Sequence, residues 1–262
     1  MSQLWAEGKY EEVEAEARDL EARTAGRRAR GRQLATWQCA RVAALEAACA
    51  QGRRSHALDE ADALLAELDA MPDPDRVLLL GLRHLRTVLL SDAERYTEAE
   101  TEALAILSGL TRLKHLAPVS DLEMDVLANL VFILCRLARH EEAEAIARGN
   151  LPRAAGATLA SLHCGLVESL NGQGRHDEAL TEARRYTPRW NRAATGTLHM
   201  ATATALHALG HRTEAEATAR QALTDCERHL HPEHPRIRRA RTLLADLTTD
   251  DGPDPTAEET AH

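Results

Sequence analysis

The 262-residue sequence predicts an all-α protein assembled from repeated antiparallel helix pairs, and three observations carry that prediction. The first is composition: 48 Ala and 39 Leu stand against 8 Val, 4 Ile, 3 Trp, 3 Tyr and 1 Phe. Ala and Leu lose little entropy in a helix, whereas strands draw on β-branched and aromatic side chains, so a sheet of any size lacks its material. The second is a recurring signature: a small residue, a basic residue, a spacer, an acidic residue, then a small apolar residue that opens a helical pattern. The third is proline placement. Pro72, Pro74, Pro118, Pro152, Pro188, Pro232 and Pro235 fall between helix pairs, and Pro253 and Pro255 lie in the tail. None interrupts a predicted helix, where it would cost about 3 kcal/mol.

The signature reads Gly8-Lys9-Tyr10-Glu11-Glu12-Val13, Gly52-Arg53-Arg54-Ser55-His56-Ala57 and Glu94-Arg95-Tyr96-Thr97-Glu98-Ala99 in the first half. It returns as Ala138-Arg139-His140-Glu141-Glu142-Ala143, Gly174-Arg175-His176-Asp177-Glu178-Ala179 and Gly210-His211-Arg212-Thr213-Glu214-Ala215. The starts at 8, 52, 94, 138, 174 and 210 are spaced by 44, 42, 44, 36 and 36 residues. Each small residue ends one helix in a tight turn, and the next helix begins at once.

Taken in chain order, a partial pair occupies 1–25, with Val13, Ala17 and Leu20 along one helix face. A pair over 32–71 follows, its second helix striped by Ala57, Ala61, Leu64 and Leu65. The pair over 74–114 carries Ala99, Ala103, Ile106 and Leu107, and that over 119–150 begins with Leu127, Leu130, Val131, Leu134 and Leu137. Pairs over 156–187 and 191–230 complete the set, the last striped by Ala215, Ala219, Ala222 and Leu223. Residues so spaced share a face, and Ala-sized groups let helix axes approach closely. A closing helix over 235–247 alternates Ile237, Ala240, Leu243, Leu244 and Leu247 with Arg236, Arg238, Arg239 and Arg241, the pattern of a polar cap. The segment 248–262 has no large apolar residue and is read as a disordered acidic tail, leaving 1–247 as one array.

The helix–turn–helix unit opening on G-[RK]-x-x-E-A resembles the tetratricopeptide repeat (TPR). The stretch from Ala222-Leu223 through His231-Pro232-Glu233-His234-Pro235 to Arg241-Thr242-Leu243-Leu244-Ala245 resembles the longer repeat of kinesin light chains and many bacterial TPR proteins. Glu94 and Ala138 stand where that family has Gly, and Arg83 and Arg86 fall near positions normally apolar, which leaves the third repeat's first helix poorly registered. The resemblance implies a TPR-type α-solenoid, a right-handed superhelix of about six repeats, whose first helices line a concave groove. Counting back from each signature places Cys39, Val42, Glu46 and Cys49 there, then Asp125, Ala128, Phe132 and Cys135. Ser161, Cys164, Glu168 and Asn171 follow, then Thr197, Met200, Thr204 and His207. TPR proteins that hold acidic chaperone tails use groove Lys, Asn and Arg; here Cys164, Glu168 and Met200 occupy those places, which argues against that ligand class.

Little else carries chemistry. His229, His231 and His234 with Glu227 and Glu233 have metal-ligating side chains, but two prolines fix that turn rather than converge ligands, so no metal is expected. No H-E-x-x-H, G-x-S-x-G, phosphate loop or G-x-G-x-x-G occurs. Cys164, Glu168 and His207 could serve as nucleophile and bases, against the plainer reading of Cys164 as a small buried hydrophobe and Glu168 as a solvated charge. Arg23, Arg27, Arg28, Arg30 and Arg32 form a basic run without interleaved aromatics and read as a solvated loop rather than a phosphate contact.

The net charge of −9 includes Asp250, Asp251, Asp254, Glu258 and Glu259; without these five it is −4, which argues against a nucleic-acid partner. Five cysteines with no C-x-x-C pair read as reduced thiols, there is no run long enough for a membrane span, and the N-terminus has no signal-peptide pattern, so the expected location is cytoplasmic. These readings point to a non-catalytic scaffold or adaptor that binds a protein or peptide in its groove, without a cofactor. The alternatives are a regulatory sensor or biosynthetic helper binding a small molecule or short peptide, and an enzyme using the Cys/Glu/His cluster. At the N-terminal end Trp5, Val13, Ala17 and Leu20 have only a short preceding helix to cover them. Either a second copy covers this patch, giving a homodimer, or the short helix folds back.

Overall fold

The computed structural model describes residues 4, 9–24, 32–51, 57–71, 74–185 and 194–249, and these form twelve α-helices, one 3-10 turn and no strand. They are α1 (Tyr10–Thr24), α2 (Arg32–Ala50), α3 (Ala57–Asp69), α4 (Arg76–Asp92), α5 (Tyr96–Leu113) and α6 (Ser120–Arg136). The second half holds α7 (His140–Asn150), α8 (Gly156–Gly172), α9 (His176–Arg185), α10 (Thr197–Ala208), α11 (Arg212–His229) and α12 (Pro235–Thr249). Pairs α2/α3, α4/α5, α6/α7, α8/α9 and α10/α11 reproduce the predicted division. Each even-numbered helix from α2 to α10 packs both on its own partner and on the next even-numbered helix, so these helices form an inner layer and the odd-numbered ones an outer layer. No helix among the described residues is long and apolar enough to cross a membrane.

The signature explains the turns. At Gly174 the backbone is left-handed (φ 73°), its N–H donates to Asn171 O (2.9 Å), and the Arg175 N–H donates to Leu170 O (3.0 Å). This is the Schellman closure, which satisfies the last carbonyls of the helix and reverses the chain. Gly210 (φ 83°) repeats it, and so do the two departures from glycine, Glu94 (φ 61°) and Ala138 (φ 59°), at a steric cost of about 1–2 kcal/mol each. The basic residue then clamps the start of the next helix. Arg95 holds Glu98 through two bonds of 2.7 Å, Arg139 holds Glu142, and Arg175 holds Glu178. Arg139 and Arg175 also reach back to Glu100 and Glu144 on the preceding outer helix, tying successive repeats together.

The closing alanine of the signature is where helices meet: Ala99, Ala143, Ala179 and Ala215 are each 0% exposed. Around them one continuous core runs from Ala103 on α5 to Ala215 on α11, and a second cluster joins α2, α3 and α4 through Leu45, Leu64, Leu68 and Leu82. The inner helices α6 and α8 approach closely, so that a Cβ on Gly165 would strike the Val131 side chain.

Two expectations are revised. Arg86, which blurred the third repeat, points outward and pairs with Asp62 (2.5 Å) and Glu102, so α4 is a regular member of the inner layer. At the N-terminal end Val13 and Ala17 are buried against α2, and Gln51 Nε2 donates to Glu14 (2.9 Å), so these two side chains are covered within one chain. Trp5, the signature residues Gly8 and Gly52–His56, the prolines Pro72 and Pro188, the arginines Arg27, Arg28 and Arg30, and the tail from 250 onward lie outside the described residues.

Candidate functional site

The inner layer curves around a cavity of about 470 Å³, and side chains from α2, α4, α6, α8 and α10 reach it together with α12 and the turn before it. It brings together Glu46, Asp125, Ala128, Phe132, Ser161, Cys164, Glu168 and Thr197 of the residues expected there, along with Cys49. It does not include Cys39, Val42, Cys135, Asn171, Met200, Thr204 or His207. Cys39 is exposed, while Val42 is packed in the core. Cys135 is buried between α6 and α8, its thiol 3.8 Å from Gly165 O. Asn171 donates to Ala201 O (2.7 Å) and so joins α8 to α10. Thr204 is exposed, its hydroxyl turned back onto Met200 O (3.1 Å). Met200 and His207 are half-buried on α10.

One wall of the cavity is acidic. Glu46 on α2 and His84 on α4 both lie in the field of the Asp125 carboxylate on α6, which accepts from Thr158 Oγ1 (2.6 Å). Glu46 is half-buried at its own surface yet hemmed in by protein, and among the described residues no hydrogen bond or ion pair reaches its carboxylate. Desolvation, helped by Asp125, pushes its carboxyl up to about 7. Burial lowers the His84 imidazole despite the opposing pull of Asp125, and its Nδ1 is without a hydrogen-bond partner, as is the Asn129 Nδ2 beside it.

The other wall is basic and is supplied largely by α12. Arg239 lies with its guanidinium carbon 4.9 Å from the Phe132 ring centroid, and Arg136 lies 5.3 Å from the same ring. Such placement over an aromatic face is the cation–π arrangement. Arg136 pairs with Glu168, whereas Arg239 has no carboxylate ion pair among the described residues. Desolvation, reinforced by their mutual repulsion in the case of Arg136, lowers both guanidinium pKa values without discharging either. Arg236 donates to Thr195 O (3.2 Å), and Arg238 reaches Glu94 (3.5 Å) 144 residues away, so α12 closes across the groove onto the middle of the array.

Neither the contribution of α4 nor the inward placement of Arg236 and Arg239 on α12 was legible in the sequence. No period marks the latter, because it depends on a contact far away in the chain. The Cys164, Glu168 and His207 trio is not assembled: Glu168 is engaged by Arg136, His207 lies outside the cavity, and burial pushes the Cys164 thiol up to about 12, away from the thiolate a nucleophile needs. In the histidine-rich turn, His231 Nδ1 accepts from the Glu233 N–H (3.4 Å) and His234 Nδ1 from the Arg236 N–H (3.2 Å), so both rings serve the backbone. Among the described residues no group of three or more His, Cys, Asp or Glu side chains is placed to hold a metal ion.

No protein-family model matches the sequence, and no curated protein matches it. Among solved structures it is similar to BtubC (BKLC) from P. vanneervenii, with a TM-score of 0.55 at 17% identity, over 94% of this chain and 92% of that one. At that identity the likeness is one of fold, and together with the stacked helix pairs and their turns it shows the chain to have an all-α, TPR-type solenoid fold.

Proposed function

We propose that the chain is a non-catalytic scaffold or adaptor whose concave groove binds a protein or peptide segment. One observation carries this reading: the groove is lined by polar groups that the fold itself leaves unanswered, namely Glu46, His84 Nδ1 and Asn129 Nδ2. Buried polar groups are normally hydrogen-bonded, and a chain with amides and charged side chains supplies both donors and acceptors. Capture from native cells with wild type and with Ser161→Arg, which fills the groove, tests the reading. A protein retained by the first and lost by the second supports it; equal retention by both refutes it.

The cavity volume also favours the second reading, a sensor or biosynthetic helper for a small molecule or short peptide, because small-ligand sites span roughly 300–1,000 Å³. A thermal-shift screen with metabolites and nucleotides separates the two: a shift of several degrees from one compound, with no protein captured, favours the sensor. A cytoplasmic location fits the five cysteines, all free thiols. A homodimer through the N-terminal end is measured by light scattering at micromolar concentration, where a mass of 28.8 kDa removes it.

A further inference from the structure

Charge is divided unevenly along the cavity. Four carboxylates line it, Glu46, Asp92, Asp125 and Glu168, against two arginines, Arg236 and Arg239. Most of these are answered inside the fold. Glu168 is held by Arg136, which stands outside the lining, and Asp92 and Arg236 each have a partner. Both lining arginines belong to α12, whereas the stretches of α2, α4 and α6 that line the cavity contain no arginine or lysine. At that end Glu46 and Asp125 have no ion pair among the described residues, and Thr158 fills one of the roughly four acceptor positions that the Asp125 carboxylate offers.

A third acceptor stands beside them. His84 Nδ1 is buried without a hydrogen-bond partner, and desolvation keeps the ring uncharged, so its Nε2–H tautomer presents Nδ1 as an acceptor. Asn129 lies in the same stretch of wall, and its amide turned over presents Oδ1 as well. Glu46, His84 and Asp125 come from three different helices, and no three of the described His, Cys, Asp and Glu side chains are placed to hold a metal ion. A metal needs its ligands within about 2.0–2.6 Å, whereas an ammonium nitrogen takes acceptors at about 2.7–2.9 Å. A primary ammonium has three donors and no acceptor, which matches acceptors that surround it. A quaternary ammonium donates nothing and would leave each of them unanswered. The planar guanidinium fork suits one carboxylate met edge-on rather than groups spread over three helices. Leu85 and Val88 on α4, with Ala128 and Phe132 on α6, continue the same wall and give an alkyl stem an apolar run.

We propose that the α2–α4–α6 end of the cavity binds a primary ammonium group on an alkyl stem, held by Glu46, Asp125 and His84 Nδ1. Such a head belongs to a free alkylamine or to a lysine side chain in a peptide. This assignment rests on the reading that the cavity is the binding site, and names the chemistry it takes. Asp125 is exposed while Glu46 and His84 are half-buried, so the ammonium enters past Asp125. Once seated, it offsets the desolvation that disfavours the Glu46 carboxylate.

The test uses the full chain at low salt, with dissociation constants read by NMR titration of the ligand signals. The probes are hexylammonium, hexanol and hexyltrimethylammonium, beside N-acetyl-Ala-X-Ala-amide with lysine, norleucine or arginine at X. A primary ammonium probe binds about tenfold more tightly than its uncharged counterpart, the gain expected from charge-assisted hydrogen bonds. Glu46→Gln and Asp125→Asn each remove most of that preference. Asp59→Asn on the outer helix α3, exposed and outside the lining, leaves it whole. Each variant is first checked for wild-type helicity. A preference in hexylammonium alone points to a free amine and one in the lysine peptide alone to a partner's side chain; either supports the site. Affinity of the quaternary or arginine probe equal to that of the primary ammonium overturns the proposal. So does a preference unmoved by both cavity variants, or no binding of any probe to the folded protein. The groove itself is judged separately by capture with Ser161→Arg, so the two readings fail independently.

Discussion

The Arg239 guanidinium carbon stands 4.9 Å above the centre of the Phe132 ring, and this pair joins α12 to the inner face of α6. A simple stack of repeats has no such contact, since each repeat touches only its neighbours. Here α12 both caps α11, through Ile237 (2% exposed) and Ala240 (0%), and bridges the groove.

Removal of that ring loosens the bridge. Phe132→Ala destabilises the protein by about 2 kcal/mol, below the roughly 3–5 kcal/mol of a fully buried Phe because the ring is half-exposed to the groove. Amide exchange in α12 rises with it, while exchange in α3 stays as in wild type. Unchanged protection of α12 contradicts the bridge.

Ala138 occupies a left-handed turn position that costs an L side chain about 1–2 kcal/mol. Ala138→Gly removes the clash but loosens the unfolded chain, for a net gain of about 0.5–1 kcal/mol. Gly174→Ala at the equivalent turn loses about 1 kcal/mol. Denaturant midpoints of the two variants, moving in opposite directions, check both statements.

Gly165 marks the α6–α8 contact. Gly165→Ala drives a methyl group into Val131 and costs about 1–3 kcal/mol, as overpacking does. Val131→Ala made in the same chain recovers part of that loss, so a double-mutant cycle shows coupling between the two sites. Additive effects would mean that the helices separate without strain.

Glu46 makes stability depend on pH. Its folded carboxyl lies at about 7, above the ordinary value of 4.5, so the stability associated with its neutral form is whole below about pH 4.5 and is lost as pH rises through 7. Glu46→Gln is therefore nearly neutral at about pH 4 and stabilising at about pH 8, by about 1–2 kcal/mol; water in the open groove keeps it below the roughly 3 kcal/mol of the full shift. Chemical denaturation at the two pH values measures the difference.

The helices and turns were legible in the sequence because each has a local cause. The signature encodes a Schellman turn and a buried alanine within six residues, both present in the copies at 94, 138, 174 and 210, and an Arg–Glu clamp in the first three of these. The groove was legible only in part. Counting back by a fixed offset assumes inner helices of equal length, yet they run from 12 residues in α10 to 19 in α2. Cys135 and Val42 consequently fell on the packed side, and α4 was passed over because Arg83 and Arg86 masked its period, leaving His84 unmarked. The inward face of α12 is written nowhere locally: Arg238 and Arg239 are adjacent and alike in the sequence, but the first reaches Glu94 and the second Phe132.

The reach of Arg238 back to Glu94 across 144 residues bears on how the protein is made. Folding of a repeat array can nucleate anywhere and propagate from neighbour to neighbour, so the early repeats form while the chain is still being synthesised. Their concave surface stays an open trough until the ribosome has released α12. The groove is thus bridged only after the helices that line it have formed, and a chain cut before α12 is a folded array with an open groove.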